Sequence, residues 1–265
     1  MISNARITQF SKLFKREIGR FLSLPLQAIF TPVIGSILYL LIFGLSLANA
    51  IRTVGGVPYV LFLIPGLIAM SVIKNAFDNA SSSVMAAKYI NELQDLRTSP
   101  LPNFTITTAI GLASLVRGLL VGLLTYLAGA LFLMLGRENH WLAVHRPLAV
   151  FYFAALSGLS FGFLGIATGM WSKRFEHTGA VGSMVLTPLI YLGGVFFNLD
   201  TIAPFWQKVS LFNPLFYIIN GIRFGFIGRT DVDPALSGGI TALFTLLTGG
   251  CAYASLTKGP HYLRQ

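Results

Sequence analysis

Six apolar segments, each about as long as a helix that crosses a membrane, dominate the sequence. They cover residues 28–50, 59–77, 104–135, 148–170, 179–197 and 235–256 of the 265-residue chain. A membrane-spanning helix needs roughly 20 mainly apolar residues, so these lengths fit a bilayer. Charged residues make up only 11% of the chain, whereas soluble domains carry about 25%. The sequence therefore predicts an all-α integral membrane protein with six transmembrane helices, folded as one domain over residues 1–265.

Residues 1–24 predict an amphipathic helix that lies on the membrane surface. The apolar residues between Ile7 and Leu22 recur at steps of three and four, and Lys12, Arg16 and Arg20 lie between them. This pattern is typical of an interfacial helix. A membrane anchor without functional consequence is the alternative. Because the segment lacks an unbroken apolar core with a small-residue cleavage site, we do not expect a cleaved signal peptide.

If successive spans cross the membrane in alternating directions, the segments between them fall on its two sides in turn. Lysine and arginine residues are unevenly distributed between these two sides. Twelve fall on the side of the N-terminus: Arg6, Lys12, Lys15, Arg16, Arg20, Lys74, Lys88, Arg97, Lys173, Arg174, Lys258 and Arg264. Six fall on the other side: Arg52, Arg137, Arg146, Lys208, Arg223 and Arg229. The positive-inside rule then places both termini in the cytoplasm. Because the bases lie beside apolar segments, we assign the net charge of +10 to contacts with membrane lipid and not to nucleic acid.

Residues 188–224 contain two short helix signals directly after the fifth apolar segment. Asp200 or Thr201 is a candidate N-cap for the first helix, and Asn213 followed by Pro214 begins the second. Each piece is too short to cross a bilayer, and irregular backbone at membrane depth must be shielded from lipid. We therefore predict two re-entrant half-helices between the fifth and sixth spans. An ordinary hairpin between two spanning helices is the alternative.

The same stretch carries a pattern of glycines, aromatic residues and an Asn-Pro pair. Its members are Gly193, Gly194, Val195, Phe196, Phe197, Pro204, Trp206, Asn213, Pro214, Tyr217, Gly221 and Arg223. This pattern resembles the C-terminal signature of type-2 ABC exporter permeases, especially uncharacterised bacterial inner-membrane transport permeases. The resemblance implies a homodimer of permease subunits with two ATP-binding subunits, which hold ATP and Mg. It also implies export of an amphipathic, glycan or lipid substrate across the inner membrane, gated by the half-helices.

Residues 86–102 form a polar segment with charges of both signs after the second apolar segment. The spacing predicts a short helix with Tyr89, Leu93 and Leu96 on one face, and Glu92 within reach of Lys88 or Arg97. In the resembling permeases this position holds the coupling helix, which receives movement from the ATP-binding subunit. The resemblance assigns that role to Tyr89, Asn91, Glu92, Leu93, Gln94, Asp95 and Arg97. A solvated loop helix is the alternative.

With Lys74, near the end of the second span, counted on the cytoplasmic side, Arg117 is the one strongly basic residue that falls inside a predicted span. An unpaired charge at that depth is costly, so we expect its side chain to face the protein interior, water or an interface. Alternatively, the third span begins later and the side chain reaches the lipid headgroups.

No catalytic, cofactor or metal site is predicted in this chain. The sequence has no P-loop and no Gly-Lys dipeptide, so a separate subunit must hydrolyse ATP. His140 and His145 have only Glu138 near them, and Cys251 is the single cysteine. A secondary transporter driven by an ion gradient is the alternative function. Such a transporter needs titratable groups near the middle of the membrane, and no acidic residue falls in the middle of a predicted span.

Overall fold

The computed structural model describes residues 2–47, 53–54, 56–93, 101–136 and 142–259. Gln94, Asp95 and Arg97 of the predicted coupling helix, and His140 and Glu138, lie outside these residues. Within the described ranges the chain forms helices joined by short connections. The exception is a small antiparallel ribbon of Thr53–Val54 (β1) and Val57–Pro58 (β2).

The helices follow one another in nine continuous stretches of the described chain. Helix α1 is Ile2–Leu22, and α2 consists of Leu26–Phe30, Thr31–Leu41 and Ile42–Leu47, of which the first and last parts are π-helical. Helices α3, α4 and α5 are Tyr59–Tyr89, Asn103–Leu135 and Pro147–Trp171. Helix α6 consists of Phe175–Ala180, the π-helical Val181–Leu186 and Thr187–Leu192. A 3₁₀ turn at Leu199–Thr201 precedes α7, Pro204–Phe212; α8 is Pro214–Ile227 and α9 is Pro234–Lys258.

Five of these helices are long and apolar enough to cross a membrane, namely α2, α3, α4, α5 and α9. Helix α6 occupies the predicted fifth span but is not among the five, and Glu176 and His177 lie in its opening segment. Helix α8 is a shorter apolar helix. The prediction of a helical membrane protein with several spans is therefore confirmed.

Helix α3 is the central element of the bundle. In its most apolar window 83% of the residues are buried inside the protein, against 22–50% in the other four span-length helices. Its main neighbours are α4 and α5, and it also packs against α2 and α8. Side chains such as Leu63, Ile64 and Phe77 have no exposed surface. The other spans thus lie around α3 and separate it from lipid.

Glycines on α4 and α5 allow both helices to approach α3 closely. A Cβ atom on Gly118 of α4 would lie 2.8 Å from the carbonyl oxygen of Val72. A Cβ atom on Gly165 of α5 would lie 2.5 Å from the carbonyl oxygen of Phe77. Small residues at such contacts let helix backbones pack tightly inside membranes. These two contacts therefore fix the position of α3 between α4 and α5.

We predict that Gly165→Ala destabilises the protein, because the new methyl group meets backbone that cannot rotate away. Overpacking of this kind costs roughly 1–3 kcal/mol, so the thermal unfolding midpoint of the detergent-purified protein should fall. Gly239→Ala in α9 is the matched control, since a Cβ atom there meets nothing within 4 Å. Equal unfolding midpoints for the two variants would contradict the close α3–α5 contact.

Candidate functional site

A cavity of about 620 Å³ lies beside the central helix. Residues of α1, α2, α3 and α6 form its walls, and Arg117 enters from α4. Apolar side chains such as Leu24 and Met70 alternate with polar ones along the lining. This volume is within the usual range of a small-molecule site, about 300–1,000 Å³.

A polar stripe of α3 forms the inner wall of the cavity. Ser71, Asn75, Asp78 and Ser82 follow one another at steps of four, three and four residues, and all four line the cavity. Residues at this spacing share one helix face. At a rise of 1.5 Å per residue the stripe extends over about 16 Å, roughly half the thickness of a bilayer's hydrocarbon core. The cavity therefore shields polar groups from lipid deep within a membrane-spanning helix.

Hydroxyl groups at one end of the cavity hydrogen bond to one another across three helices. Ser36 Oγ lies 3.0 Å from Ser71 Oγ, and Thr125 Oγ1 donates to Ser71 Oγ at 3.0 Å. Beyond them the hydroxyl oxygens of Tyr39 and Tyr191 are 2.7 Å apart. Since buried hydroxyl groups need partners, these bonds hold α2, α3, α4 and α6 together at this end.

The middle of the cavity is charged. Lys74, Asp78 and Arg117 all line it and all are partly buried. Arg117 Nε donates to the Ala28 carbonyl oxygen at 3.3 Å. Pro32, four residues after Ala28, has no N–H to donate to that carbonyl in the α-helical pattern. The proline therefore leaves room for a side chain to bond the backbone of α2 here.

Helix α1 closes the other end of the cavity and contacts α3 through charged side chains. Arg20 Nη2 donates to the carbonyl oxygen and to Oδ1 of Asn79 at 2.8 and 3.0 Å, and Nη1 donates to Ser82 Oγ at 3.3 Å. Glu17, whose side chain is 1% exposed, accepts a 2.5 Å bond from Ser83 Oγ and pairs with Arg20 at 3.4 Å. Part of the polar face expected to meet headgroups is therefore bound to protein.

The predicted coupling segment begins with a break in the helix. Helix α3 ends at Tyr89, and Asn91 has a left-handed backbone with φ of 56°. Leu93 is 3% exposed and packs in the same core as Leu13, whereas Tyr89 is 63% exposed and its ring contacts that of Phe175 at a tilt of 31°. The prediction that Tyr89 and Leu93 share one helical face is wrong, because the turn at Asn91 separates them.

Glu92 forms an ion pair with Arg16 of α1. The two residues are 76 positions apart in the sequence, so their spacing does not predict this pair. Arg16 also pairs with Glu17 at 2.9 Å. Of the two partners predicted for Glu92, Lys88 is the one that the structure describes. Lys88 Nζ instead donates to the carbonyl oxygens of Met170 and Ser172 at 2.6 and 2.9 Å. The turn after α3 is therefore attached to α1.

The start of α8 agrees with its sequence signal. Asn213 is the N-cap and Pro214 the first helical residue. Asn213 Oδ1 accepts from the Leu215 N–H at 3.1 Å, and Nδ2 donates to the Leu189 carbonyl oxygen at 2.6 Å. The predicted caps of the preceding helix are wrong: Asn198 caps the 3₁₀ turn, and α7 begins at Pro204 without a side-chain cap.

Arg223 of α8 is 3% exposed and holds the loop after α6. Its Nη2 donates to the Gly194 carbonyl oxygen at 2.7 Å, and its guanidinium carbon lies 3.7 Å from the centre of the Phe62 ring. Gly194 has φ of 86°, a backbone conformation that favours glycine. Asp231, near Arg223, accepts from the Leu199 N–H at 3.2 Å, and burial raises the pKa of its carboxyl group.

The other residues of the predicted signature lie around this loop. Phe196 packs against Tyr39 and Tyr191, and its carbonyl oxygen accepts from the Tyr59 hydroxyl at 3.3 Å. Tyr217 Oη donates to the Leu211 carbonyl oxygen at 2.8 Å. The remaining members lie in the loop after α6 (Gly193, Val195 and Phe197), in the first turn of α7 (Pro204 and Trp206) and within α8 (Gly221).

Comparison with known proteins identifies the family. The family model described as ABC-2 type transporter matches residues 8–227, which include most of the cavity lining and the segment 193–223. The chain belongs to the ABC-2 type transporter family. It is therefore a transmembrane subunit of a transporter, as its resemblance to type-2 permeases indicated.

Two named relatives of this ABC-2 permease match most of its length. The chain is 37% identical to the inner membrane transport permease YadH of Escherichia coli K12 over 232 residues, 88% of each chain. It is 27% identical to nodulation protein J of Rhizobium leguminosarum bv. viciae over 217 residues, 80% of this chain and 79% of that protein. Together with its span-length helices, these matches make the chain a multi-pass inner-membrane protein.

Sequence analysis missed two charged residues of the ABC-2 permease's cavity. It ended the second span near residue 77 and assigned Lys74 to the cytoplasmic side, whereas α3 continues to Tyr89 and carries Lys74 and Asp78 into the cavity wall. The polar stripe at three- and four-residue steps was the signal available. The argument that no acidic residue falls in the middle of a predicted span assumed a second span that ended before Asp78, whereas the span-length helix α3 extends past it.

We predict that Asn213→Ala destabilises the protein more than Asp233→Ala does. Both side chains cap a helix, but only Asn213 also bonds a second helix, through Leu189. Loss of an N-cap costs about 1 kcal/mol, and loss of a buried bond adds about 1 kcal/mol. Thermal unfolding in detergent measures both variants, and equal midpoints would contradict the bridging role.

Proposed function

We propose that this ABC-2 permease is the membrane subunit of an ATP-driven exporter that moves an amphipathic, glycan or lipid substrate outward. ATP and Mg are held by two copies of an ATP-binding subunit, and a second copy of this chain completes the translocation path. The family and the inner-membrane permease among the relatives support this proposal. The polar cavity beside α3 is then part of the path in each subunit.

We propose a single domain with six spans, in which α6 is the additional span. Helix α6 supports this count because its three helical segments follow one another without a break from Phe175 to Leu192. Helices α7 and α8 have 9 and 14 residues, so each is too short to cross a bilayer. They are the two re-entrant half-helices of the proposal, and Arg223 and Asn213 tie α8 to the end of α6.

Both termini lie in the cytoplasm in this proposal, and α7 faces the outside. In a Cys251→Ser background, Ala203→Cys should react with a membrane-impermeant maleimide added to intact cells. Gly19→Cys on α1 should react only after permeabilisation. Both sites are exposed, and neither substitution changes a charge, so the topology itself is unaffected. Labelling of Gly19→Cys in intact cells would overturn this orientation.

The observation that supports ATP coupling best is the chain of charged contacts along α1. Arg16 pairs with Glu92 in the turn after α3. The next residue of α1, Glu17, binds Ser83 of α3, and one turn further along Arg20 binds Asn79 and the cavity-lining Ser82. Because α1 is a continuous helix, force applied to the turn reaches the cavity wall. The residues assigned to the coupling helix begin in that turn.

We predict that Glu92→Arg reduces substrate transport per ATP hydrolysed in proteoliposomes that contain the complete transporter. The substitution turns the attraction to Arg16 into repulsion and detaches the turn from α1. The exchange Arg16→Glu with Glu92→Arg should restore part of the coupling. Lys15→Glu is the control, because this exposed residue of α1 undergoes a similar charge reversal. Unchanged coupling in Glu92→Arg would contradict the proposed path of force.

A secondary transporter driven by an ion gradient is the second candidate, because Asp78 of the span-length helix α3 lines the cavity. The same proteoliposomes distinguish the two functions. An ATP-driven exporter stops when ATP is withdrawn and continues when proton and sodium gradients are collapsed with ionophores. The opposite result would establish the second candidate and remove the first.

A further inference from the structure

The charged middle of the cavity has an excess of positive charge. Three cations, Arg20, Lys74 and Arg117, line the cavity with one carboxylate, Asp78. Each of these side chains is partly buried. Charges inside spans are costly and mark substrate or ion pathways. An excess of cations in such a place favours an anion as the missing partner.

The three cations differ in how many of their N–H groups form hydrogen bonds with the protein. Arg20 is occupied, since its nitrogens bond Glu17, Asn79 and Ser82. Arg117 uses only Nε, in its bond to Ala28, so its two Nη groups remain available within the described structure. Lys74 Nζ has no hydrogen-bond acceptor among the residues that the structure describes. Lys74 and Arg117 are therefore the two groups able to bind a ligand.

Asp78 does not neutralise these two cations by direct contact. It interacts electrostatically with both Lys74 and Arg117, yet no nitrogen of either lies within 4.0 Å of its oxygens in the described part of the chain. Lys74 and Asp78 are also one helical turn apart on the same face of α3. The carboxylate thus partly offsets the positive charge of the two cations and leaves their N–H groups unoccupied.

The remainder of the cavity suits an apolar extension of the ligand. Leu24, in the connection between α1 and α2, and Phe175 of α6 line it and are 59% and 41% exposed. Phe21 and Met70 add buried apolar surface to the same walls. A volume of about 620 Å³ exceeds the needs of a small inorganic anion. The ligand that fits has an anionic head and an apolar body.

We propose that the cavity binds the phosphate headgroup of an amphipathic molecule, with Lys74 and Arg117 donating hydrogen bonds to the phosphate. Asp78 is a positioning residue for the two cations. Charge-assisted hydrogen bonds to phosphate are the strong ones among hydrogen bonds. This inference rests on the proposed export function, because it assigns a headgroup chemistry to the exported substrate class.

Native mass spectrometry of the detergent-purified permease, without its ATP-binding subunit, tests the inference. Equal amounts of phosphatidic acid and of diacylglycerol with the same acyl chains compete for the protein. We expect phosphatidic acid to be retained about tenfold better or more, a preference that corresponds to its charged contacts. Inorganic phosphate is added in a second arm. Displacement of phosphatidic acid at millimolar phosphate identifies a free anion as the ligand, and its retention identifies a lipid headgroup.

Three variants locate the binding site. Lys74→Met with Arg117→Met should reduce the preference for phosphatidic acid about tenfold. Gly179→Trp should also weaken binding, because Gly179 lines the cavity and a Cβ atom there meets nothing within 4 Å. This variant keeps every charge and so serves even if the double variant does not fold. Lys12→Met with Lys15→Met removes two exposed charges of α1 and should leave the preference unchanged.

Equal retention of phosphatidic acid and diacylglycerol by the unmodified protein would overturn the inference, as would an equal effect of the Lys12/Lys15 variant. The binding test needs neither ATP nor the partner subunit. A negative binding result would therefore reject the headgroup site but not ATP-driven export, whose substrate would then be uncharged or carry a different charge. Conversely, failure of ATP-driven transport with intact binding would reject the exporter and keep the headgroup site.

Discussion

The polar groups on α3 determine how the rest of the bundle must be arranged. Lipid tails offer no hydrogen bonds, so every polar atom at membrane depth needs a protein or water partner. Helix α3 carries Ser71, Asn75, Asp78 and Ser82 on one face, and this face cannot meet lipid at acceptable cost. Neighbouring helices therefore surround α3 on its apolar faces and enclose a cavity on its polar face.

Two kinds of contact hold these neighbours, and they differ in how much movement they permit. Gly118 and Gly165 place α4 and α5 against the backbone of α3, where even a methyl group does not fit. On the cavity side, by contrast, α1 is held by side chains such as Arg20, and the rings of Phe175 on α6 and Tyr89 on α3 are in contact. Long side chains adapt to displacement and backbone contacts do not. The cavity walls formed by α1 and α6 are therefore the ones able to move against α3.

Local signals in the sequence predicted local structure well. Asn213 and Pro214 specify a helix start through bonds within two residues, and the structure has that cap. The apolar segments likewise predict the span-length helices, because their length reflects the bilayer directly. The Arg16–Glu92 pair and the burial of Leu93 against Leu13 depend on residues more than 70 positions apart. Only the folded chain brings those residues together, so the charged contacts of α1 were not predictable from spacing.

Lys74 and Asp78 show why the end of the second span was predicted too early. Hydropathy alone favours ending the span before such residues, since a charge facing lipid is costly. The cavity lowers that cost because it keeps these charges away from lipid, so the helix continues to Tyr89. The same cavity is lined by Gln27 and Ala28 of the first π-helical part of α2, where Thr31 bonds the carbonyl five residues back and precedes a proline. Helix α6 repeats this pattern at Thr187, after its own π-helical part. Such segments are common at functional sites, and here they belong to the two helices that form cavity walls together with α3.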